Sequence, residues 1–462
     1  MVRQIVVIAI AVVFASNARA QAPAQDAVLR KLLEEAAAAS PEVAQARASV
    51  EAEGARIPQA GALPDPSLML GIQNDGFKRI AIGSAETSYF LIQATQAFPF
   101  PGKRGLREQV ANLEQLRAEA RLARVALSLE AEVRRAYLAS LLAREQLALL
   151  GELQSFWLQA DAAARARYES GQAPQSDLLR AKLERASLEQ RRWLLEADVA
   201  NRLAAINRLR VRPLDEPLAT PARINGLGDP AAGPLELAVQ DAEERSPELR
   251  LAQLGFDQAG RRVELARKEL FPDFSVSAAV MPRGSMEPMW QVGLSVSVPL
   301  WAHRKQRKAI DENQVRQVAE AQGQEAIRQV LRLRVRERMT LLAALDRSNE
   351  QYRDSLLPLA DATTRSTLAQ YEVGRLPFAA VLEALGSYVA TRGSALASIA
   401  EAWRVVIAQR EVSLEPISGL AGGTTSASVP GAGAQGRAMG GAAPSAQGEA
   451  ASEGVAQGKS GM

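Results

Sequence analysis

Tyr168-Glu-Ser-Gly-Gln-Ala-Pro-Gln-Ser-Asp-Leu-Leu-Arg-Ala181 and Tyr371-Glu-Val-Gly-Arg-Leu-Pro-Phe-Ala-Ala-Val-Leu-Glu-Ala384 carry one pattern twice. Tyr, Glu, Gly, Pro, Leu and Ala recur in register. In each copy a long run of helix-forming residues stops at a glycine, Gly171 or Gly374, which takes the left-handed C-cap at least cost. A proline three residues on, Pro174 or Pro377, suits the first turn of a new helix, where its missing N–H is not needed. Each copy therefore predicts the tip of a helical hairpin.

Working outward, the stretch from Leu106 to Tyr168 has no proline and almost no glycine, and Leu106, Leu113, Ala120 and Leu127 step by sevens. A helix of about 65 residues would be roughly 100 Å long, too long for any compact domain. Pro174 to about Arg210 predicts the returning helix. Upstream, Asp26 to about Gln59 reads as helix broken at Ser40-Pro41, and Gly61-Ala-Leu-Pro-Asp-Pro66 stops it. The period then changes to two. Leu68, Leu70 and Ile72 share one face of Ser67–Gln73, while Ser88, Phe90, Ile92, Ala94 and Phe98 share one side of Thr87–Phe98, with Gln93 and Thr95 opposite. Two strands joined by the loop Asn74 to Glu86 are expected, followed by the rigid corner Phe98-Pro-Phe-Pro-Gly-Lys-Arg104.

This plan fills a first repeat, 21–210, and then recurs. Residues 211–234, with five prolines, read as a linker, and 235–417 as a second repeat. There Ser246-Pro-Glu248 echoes Ser40-Pro-Glu42, and Pro272-Asp-Phe-Ser275 echoes Pro64-Asp-Pro-Ser67. Phe274, Val276, Ala278 and Val280 alternate with small or polar residues, and Trp290 to Val298 alternates cleanly. Pro299-Leu-Trp-Ala-His303 stands in place of the first corner. A helix to Tyr371 with a kink at Pro358 and a last helix ending near Glu415 complete the repeat. The Gly/Ala/Ser-rich segment 418–462 lacks the large apolar residues needed to offset its ordering entropy, and disorder is expected.

At the other end, residues 1–20 read as a secretory signal: Met-Val-Arg, an apolar run from Ile5 to Ala15, and the small-x-small site Ala18-Arg-Ala20. That run is too short to cross a bilayer, and no later stretch approaches membrane-helix length. The chain has no cysteine, which excludes disulfides, thiolate metal sites and an acylated N-terminal cysteine. A net charge of +3, spread along helices as alternating signs, gives no footprint for nucleic acid. His303 is the single histidine and is expected to be a surface residue, since a metal site needs several ligands at the right spacing. No acid–base pair, phosphate loop or nucleophile motif is present, so neither enzyme chemistry nor a cofactor is expected.

The strands decide the fold class. One face is apolar and the other carries Ser, Gln, Gly and Thr, the pattern of a membrane barrel. Four strands cannot close, and each open edge in lipid would leave unpaired backbone groups costing several kcal/mol apiece. Closure would need other protomers. A soluble sandwich or a sheet packed on helices also fits the alternation taken alone.

From about Asp26 to Glu415 the chain resembles the outer-membrane efflux proteins of the TolC type, in its doubled helix-strand-strand-helix-helix plan, its Tyr-x-x-Gly…Leu-x-Ala tips and its proline-rich corners. The corner at Phe98–Arg104 is most similar to the heavy-metal branch, the CzcC and CusC relatives. The resemblance implies an α+β membrane protein in which three protomers form a twelve-strand outer-membrane barrel continued by a helical periplasmic tube. It also implies a passive exit duct, here for heavy-metal cations, working with a periplasmic adaptor and an inner-membrane pump of the RND or ABC type. Drug efflux, type I secretion, or a soluble periplasmic coiled-coil adaptor are the alternatives.

The resemblance further implies site residues. Two acids, six and nine residues after the glycine of the second tip, ring the inner constriction in such proteins; here those positions are Ala380 and Glu383. The first tip has Asp177 and Arg180 there, so Glu383, with Asp177 in place of the missing acid, is the expected periplasmic gate. First-turn carboxylates that merely complement a helix dipole are the competing reading. The turn residues Gly171, Gln172, Pro174, Gly374, Arg375 and Pro377 are implied to dock the adaptor, and Tyr168 and Tyr371 are expected to pack just inside each turn.

Overall fold

The computed structural model describes residues 27–218, 223–227, 230 and 233–416. The signal read at 1–20 and the disorder read at 418–462 lie outside the described residues.

Helix α1 (Ala27–Ala39) ends at Ser40, and α2 (Pro41–Gly61) begins immediately. The Ser40 hydroxyl accepts the Val43 N–H at 3.3 Å while Pro41 fills the first helical position. Ser246 does the same between α5 (Leu235–Arg245) and α6 (Pro247–Lys268), accepting the Leu249 N–H at 3.2 Å. The repeated Ser-Pro-Glu is thus one capping device used twice: a hydroxyl N-cap, a proline that needs no donor, and a first-turn carboxylate.

The strands β1 (Ser67–Gln73), β2 (Tyr89–Phe98), β3 (Asp273–Arg283) and β4 (Met286–Ser297) form one antiparallel sheet in that order. The two repeats join where β2 meets β3, with Ile92 opposite Val280 and Phe98 opposite Phe274. β2 begins at Tyr89, two residues later than the sequence suggests. Thr87 and Ser88 instead hold the loop, Thr87 donating to Asp75 at 3.1 Å and Ser88 accepting the Asp75 N–H at 2.9 Å. The register gathers Leu68, Leu70 and Ile72 with Phe90, Ile92, Val276, Val280, Val292 and Leu294 on one face. All nine are exposed, from 43% for Val276 to 70% for Leu70 and Leu294. β1 and β4 each pair on one edge only among the described residues. No helix among the described residues is long and apolar enough to cross a membrane.

Helix α3 (Lys103–Glu169) runs 67 residues without a break, about 100 Å at 1.5 Å per residue. It returns as α4 (Gln175–Leu209). In the second repeat α7 (Gln306–Gln351) leads through a π turn, Tyr352–Leu356, into α8 (Leu357–Glu372), and α9 (Phe378–Glu411) returns. The kink expected at Pro358 is taken up one turn earlier as that π turn: proline has no N–H for the residue four before it, and its ring crowds the carbonyl there. Apolar clusters punctuate the helices instead of forming one core. Ala160, Ala164, Ala181, Ala400 and Ala402 are fully buried, which lets the helices approach closely.

The stretch read as a linker is fastened to the bundle. Ile224 is fully buried with Ala131, Leu138, Ala400 and Ile407, and the Asn207 amide donates to Leu214 and Glu216 carbonyls at 3.1 and 2.8 Å.

Candidate functional site: the paired hairpin tips

Both tips have the same backbone. Gly171 and Gly374 take φ of 71° and 78°, left-handed values that a side chain would strain. The next N–H reaches back over the helix end in each: Gln172 to Arg167 O at 2.8 Å, Arg375 to Gln370 O at 2.9 Å. The prolines sit one residue earlier than the sequence reading places them. Pro174 (ψ 154°) and Pro377 (ψ 160°) are extended N-cap residues, outside the first turn, and their carbonyls accept from Asp177 and Ala380. The cause is the left-handed glycine three residues back, after which an extended residue is needed to redirect the chain.

The tips lie side by side, and the side chain that ties them is one the sequence reading missed. Arg167, at the end of α3, donates to Tyr371 O at 3.0 Å and to Gln172 O at 3.3 Å. Its guanidinium carbon is 4.7 Å from the centre of the Tyr371 ring. The available signal was a break in the repeat: the residue before Tyr371 is Gln370, not arginine.

Below the turns the tips share one apolar cluster, including Trp157, Leu188, Leu368, Tyr371, Phe378, Val381 and Leu385. The Phe378 ring meets Tyr371 edge-on at 5.4 Å. Tyr371 is fully buried, as expected of a packing residue, but Tyr168 is 42% exposed. The two tyrosines occupy matching positions on unlike surroundings: Phe378 follows the second proline, Gln175 the first, so only the second tip has a ring to pack against.

The two expected gate acids are placed differently. Asp177 lies in the first turn of α4, half-buried, facing the Tyr371 hydroxyl. Burial raises the pKa of that hydroxyl above its ordinary value, and the Asp177 charge adds to the effect while Arg167 opposes it. Glu383 is exposed and sits in the second turn of α9, beyond the reach of a first-turn dipole effect. With Ala379, Gly386, Ser387, Ala390, Ser394 and Ala397 it forms the exposed stripe of the tip-proximal part of α9, where it is the only charge; the next exposed charge along the stripe is Arg404. The structure does not bring Asp177 and Glu383 into contact within one chain. The turn residues Gly171, Gln172, Pro174, Gly374, Arg375 and Pro377 are all exposed. His303 is exposed too, and among the described residues no group of three or more His, Asp or Glu side chains is placed to hold a metal.

A strand pair followed by a long helical hairpin, written twice with the tips packed together, defines a class of protein that joins a membrane-facing sheet to a helical tube wall. The chain belongs to the outer membrane efflux protein family, whose model matches residues 32–210 and 238–403. It is similar to the nickel-cobalt-cadmium resistance protein NccC of Alcaligenes xylosoxydans xylosoxydans, 28% identical over 295 residues. That match spans 63% of this chain and 64% of NccC, less than two thirds of the relative's length. Among solved structures it is similar to CusC, with a TM-score of 0.72 and 18% identity over 86% of this chain and 95% of that one. The VceC outer-membrane protein of Vibrio cholerae gives 0.67 and 17% over 84% and 96%. The family is one of channels, not enzymes.

Proposed function

We propose that three copies of this chain close their sheets into a twelve-strand barrel in the outer membrane and their helices into a periplasmic tube. The product is a passive exit duct for heavy-metal cations, which cross it hydrated. The observation that carries this reading is the sheet itself: an exposed apolar face along four strands, with β1 and β4 open for pairing. In lipid such a sheet is stable only when its edges are satisfied by further copies. Similarity to NccC, named for resistance to nickel, cobalt and cadmium, supports the choice of cargo.

In this arrangement the tips form the inner mouth. Three Glu383 carboxylates meeting near the axis make a cation-attracting ring set in an otherwise uncharged stretch of α9's exposed stripe, from Ala379 to Ala397. The exposed turns from Gly171 to Pro174 and from Gly374 to Pro377 are free to receive a periplasmic adaptor that couples the duct to an inner-membrane pump. The test is fractionation with a deletion strain. The chain should need detergent for extraction from the outer membrane, and its loss should lower tolerance to divalent metals. Recovery in the soluble periplasm would end the duct reading; unchanged metal tolerance with new drug sensitivity would end the choice of cargo.

A further inference from the structure

The two strand-to-helix corners occupy matching places in the repeats but are built for different tasks. Phe98, Phe274 and Val296 lie in one row of the sheet, so both corners leave it at the same end. The first corner is closed on itself. Lys103 is 1% exposed, with its ammonium 2.9 Å from Asp273 and 3.2 Å from Glu269, and Phe100 stacks on Phe271 at 4.6 Å.

The second corner turns everything outward. Leu300 is 78% and Trp301 69% exposed, continuing the exposed apolar line of Val296 and Val298. Directly behind them His303, Arg304, Lys305, Arg307 and Lys308 are exposed in turn. Arg304, Lys305 and Arg307 have no side-chain partner among the described residues, and Lys308 pairs only with Asp311 at 2.8 Å. No acid occurs between Glu287 and Asp311. Apolar and indole side chains at the rim of a lipid-facing surface, backed by unpaired cations, match the chemistry of an anionic bilayer interface: hydrocarbon boundary first, phosphate layer next.

We infer that the corner Leu300–Lys308 is a docking site for anionic phospholipid headgroups at the periplasmic rim of the barrel. Leu300 and Trp301 seat in the interface, and Arg304, Lys305, Arg307 and Lys308 hold the phosphates. The inference rests on the outer-membrane reading above. A neighbouring copy is the competing occupant, since Asp65 precedes β1 at the opposite edge and could face these cations in an assembly.

The test uses the full chain reconstituted into vesicles of phosphatidylcholine mixed with brominated phosphatidylglycerol or with brominated phosphatidylcholine. The quenching that disappears in Trp301→Phe reports on the corner. It should be roughly tenfold stronger per brominated phosphatidylglycerol at low salt, and weaken as salt rises. The variant carrying Arg304→Gln, Lys305→Gln, Arg307→Gln and Lys308→Gln should lose the preference yet enter vesicles and assemble as the parent does. Equal quenching by both lipids in the reconstituted parent overturns the docking site and leaves the duct intact. A quadruple variant that falls apart into single chains, with no lipid preference in the parent, also overturns it, by assigning the corner to contact between copies. A chain that enters no vesicle removes the outer-membrane reading itself.

Discussion

Arg167 and Tyr371 form the bridge between the two hairpin tips: the guanidinium lies over the ring at 4.7 Å and donates to the tyrosine's own carbonyl at 3.0 Å. The same arginine spans to the Gln172 carbonyl at 3.3 Å, so one side chain holds both turns in a fixed relation. A charge-assisted hydrogen bond and a cation–π contact together are worth about 2 kcal/mol at a half-buried position. Arg167→Ala should therefore raise hydrogen exchange across Gly171–Asp177 and Gly374–Ala380 by more than tenfold, and increase single-channel conductance. Unchanged exchange at both turns would show that the apolar cluster alone fixes them.

Alkaline pH should loosen the same place. The buried Tyr371 hydroxyl has its pKa raised, by burial first and the Asp177 charge second, so the folded tip holds its proton more tightly than the unfolded chain. Its contribution to stability is thus complete below the ordinary tyrosine pKa of about 10 and is lost as pH climbs through the raised folded value. Tyr371→Phe should flatten that alkaline limb in thermal melts, and Asp177→Asn should shrink it. A limb as steep in Tyr371→Phe as in the parent would assign it to other groups.

Glu383 is the single charge on the exposed stripe of α9 from Ala379 to Ala397. Glu383→Ala should raise single-channel conductance in planar bilayers and weaken block by polyvalent cations severalfold, because a ring of carboxylates concentrates cations at the constriction. Asp177→Ala should change cation block less, since that carboxylate faces Tyr371. Identical traces for Glu383→Ala and the parent would take Glu383 out of the gate.

Lys103 is the hidden fastener of the first corner. Its ammonium meets the Phe271 carbonyl at 3.0 Å and two carboxylates while almost wholly out of water. Lys103→Met would keep the volume but remove the nearest cation from Asp273 and Glu269; with both carboxylates partly in water and Arg107 still beside Glu269, the cost should be about 1–3 kcal/mol. The pair Lys103→Met with Asp273→Asn should recover part of that loss in thermal unfolding. A single variant as stable as the parent would show the pair to be dispensable.

Val211 and Val412 hold left-handed backbone at φ 53°, each just past the end of a returning helix. That conformation costs a β-branched residue about 1–2 kcal/mol. Val211 is 56% exposed and Val412 is 1% exposed, packed with Leu331 and Val335. Val211→Gly should accordingly stabilise the chain by about 1 kcal/mol, whereas Val412→Gly should destabilise it by a similar amount because lost burial outweighs relieved strain. Equal shifts in melting temperature would contradict the strain argument.

The features legible in the sequence are those encoded locally. The glycine turns, the alternation from Leu68 to Ile72 and from Trp290 to Val298, and the Ser-Pro caps at Ser40 and Ser246 each rest on a few neighbouring residues. The features that escaped depend on contacts across the chain. Nothing near Arg167 shows that it will lie on a tyrosine 204 residues away, or that Tyr371 and not Tyr168 will be buried. The linker's Ile224 and the corner's Lys103 are ordinary residues until the helices beside them close. Position within a turn was also beyond reach: the prolines act as caps, a one-residue difference that hinges on the glycine's backbone angle.

The central claim, that β1 of one copy pairs with β4 of the next, has a direct measurement. The chain has no cysteine, so pairs can be introduced freely. A cysteine fixed at Leu294 of β4 is combined with single cysteines scanned from Leu68 to Ile72 of β1, and cells are oxidised before the outer membrane is extracted. The expected result is cross-linking at one register, giving a ladder on a denaturing gel that stops at three copies. Cross-links at no position, or a ladder that does not stop at three, would contradict the closed trimeric barrel.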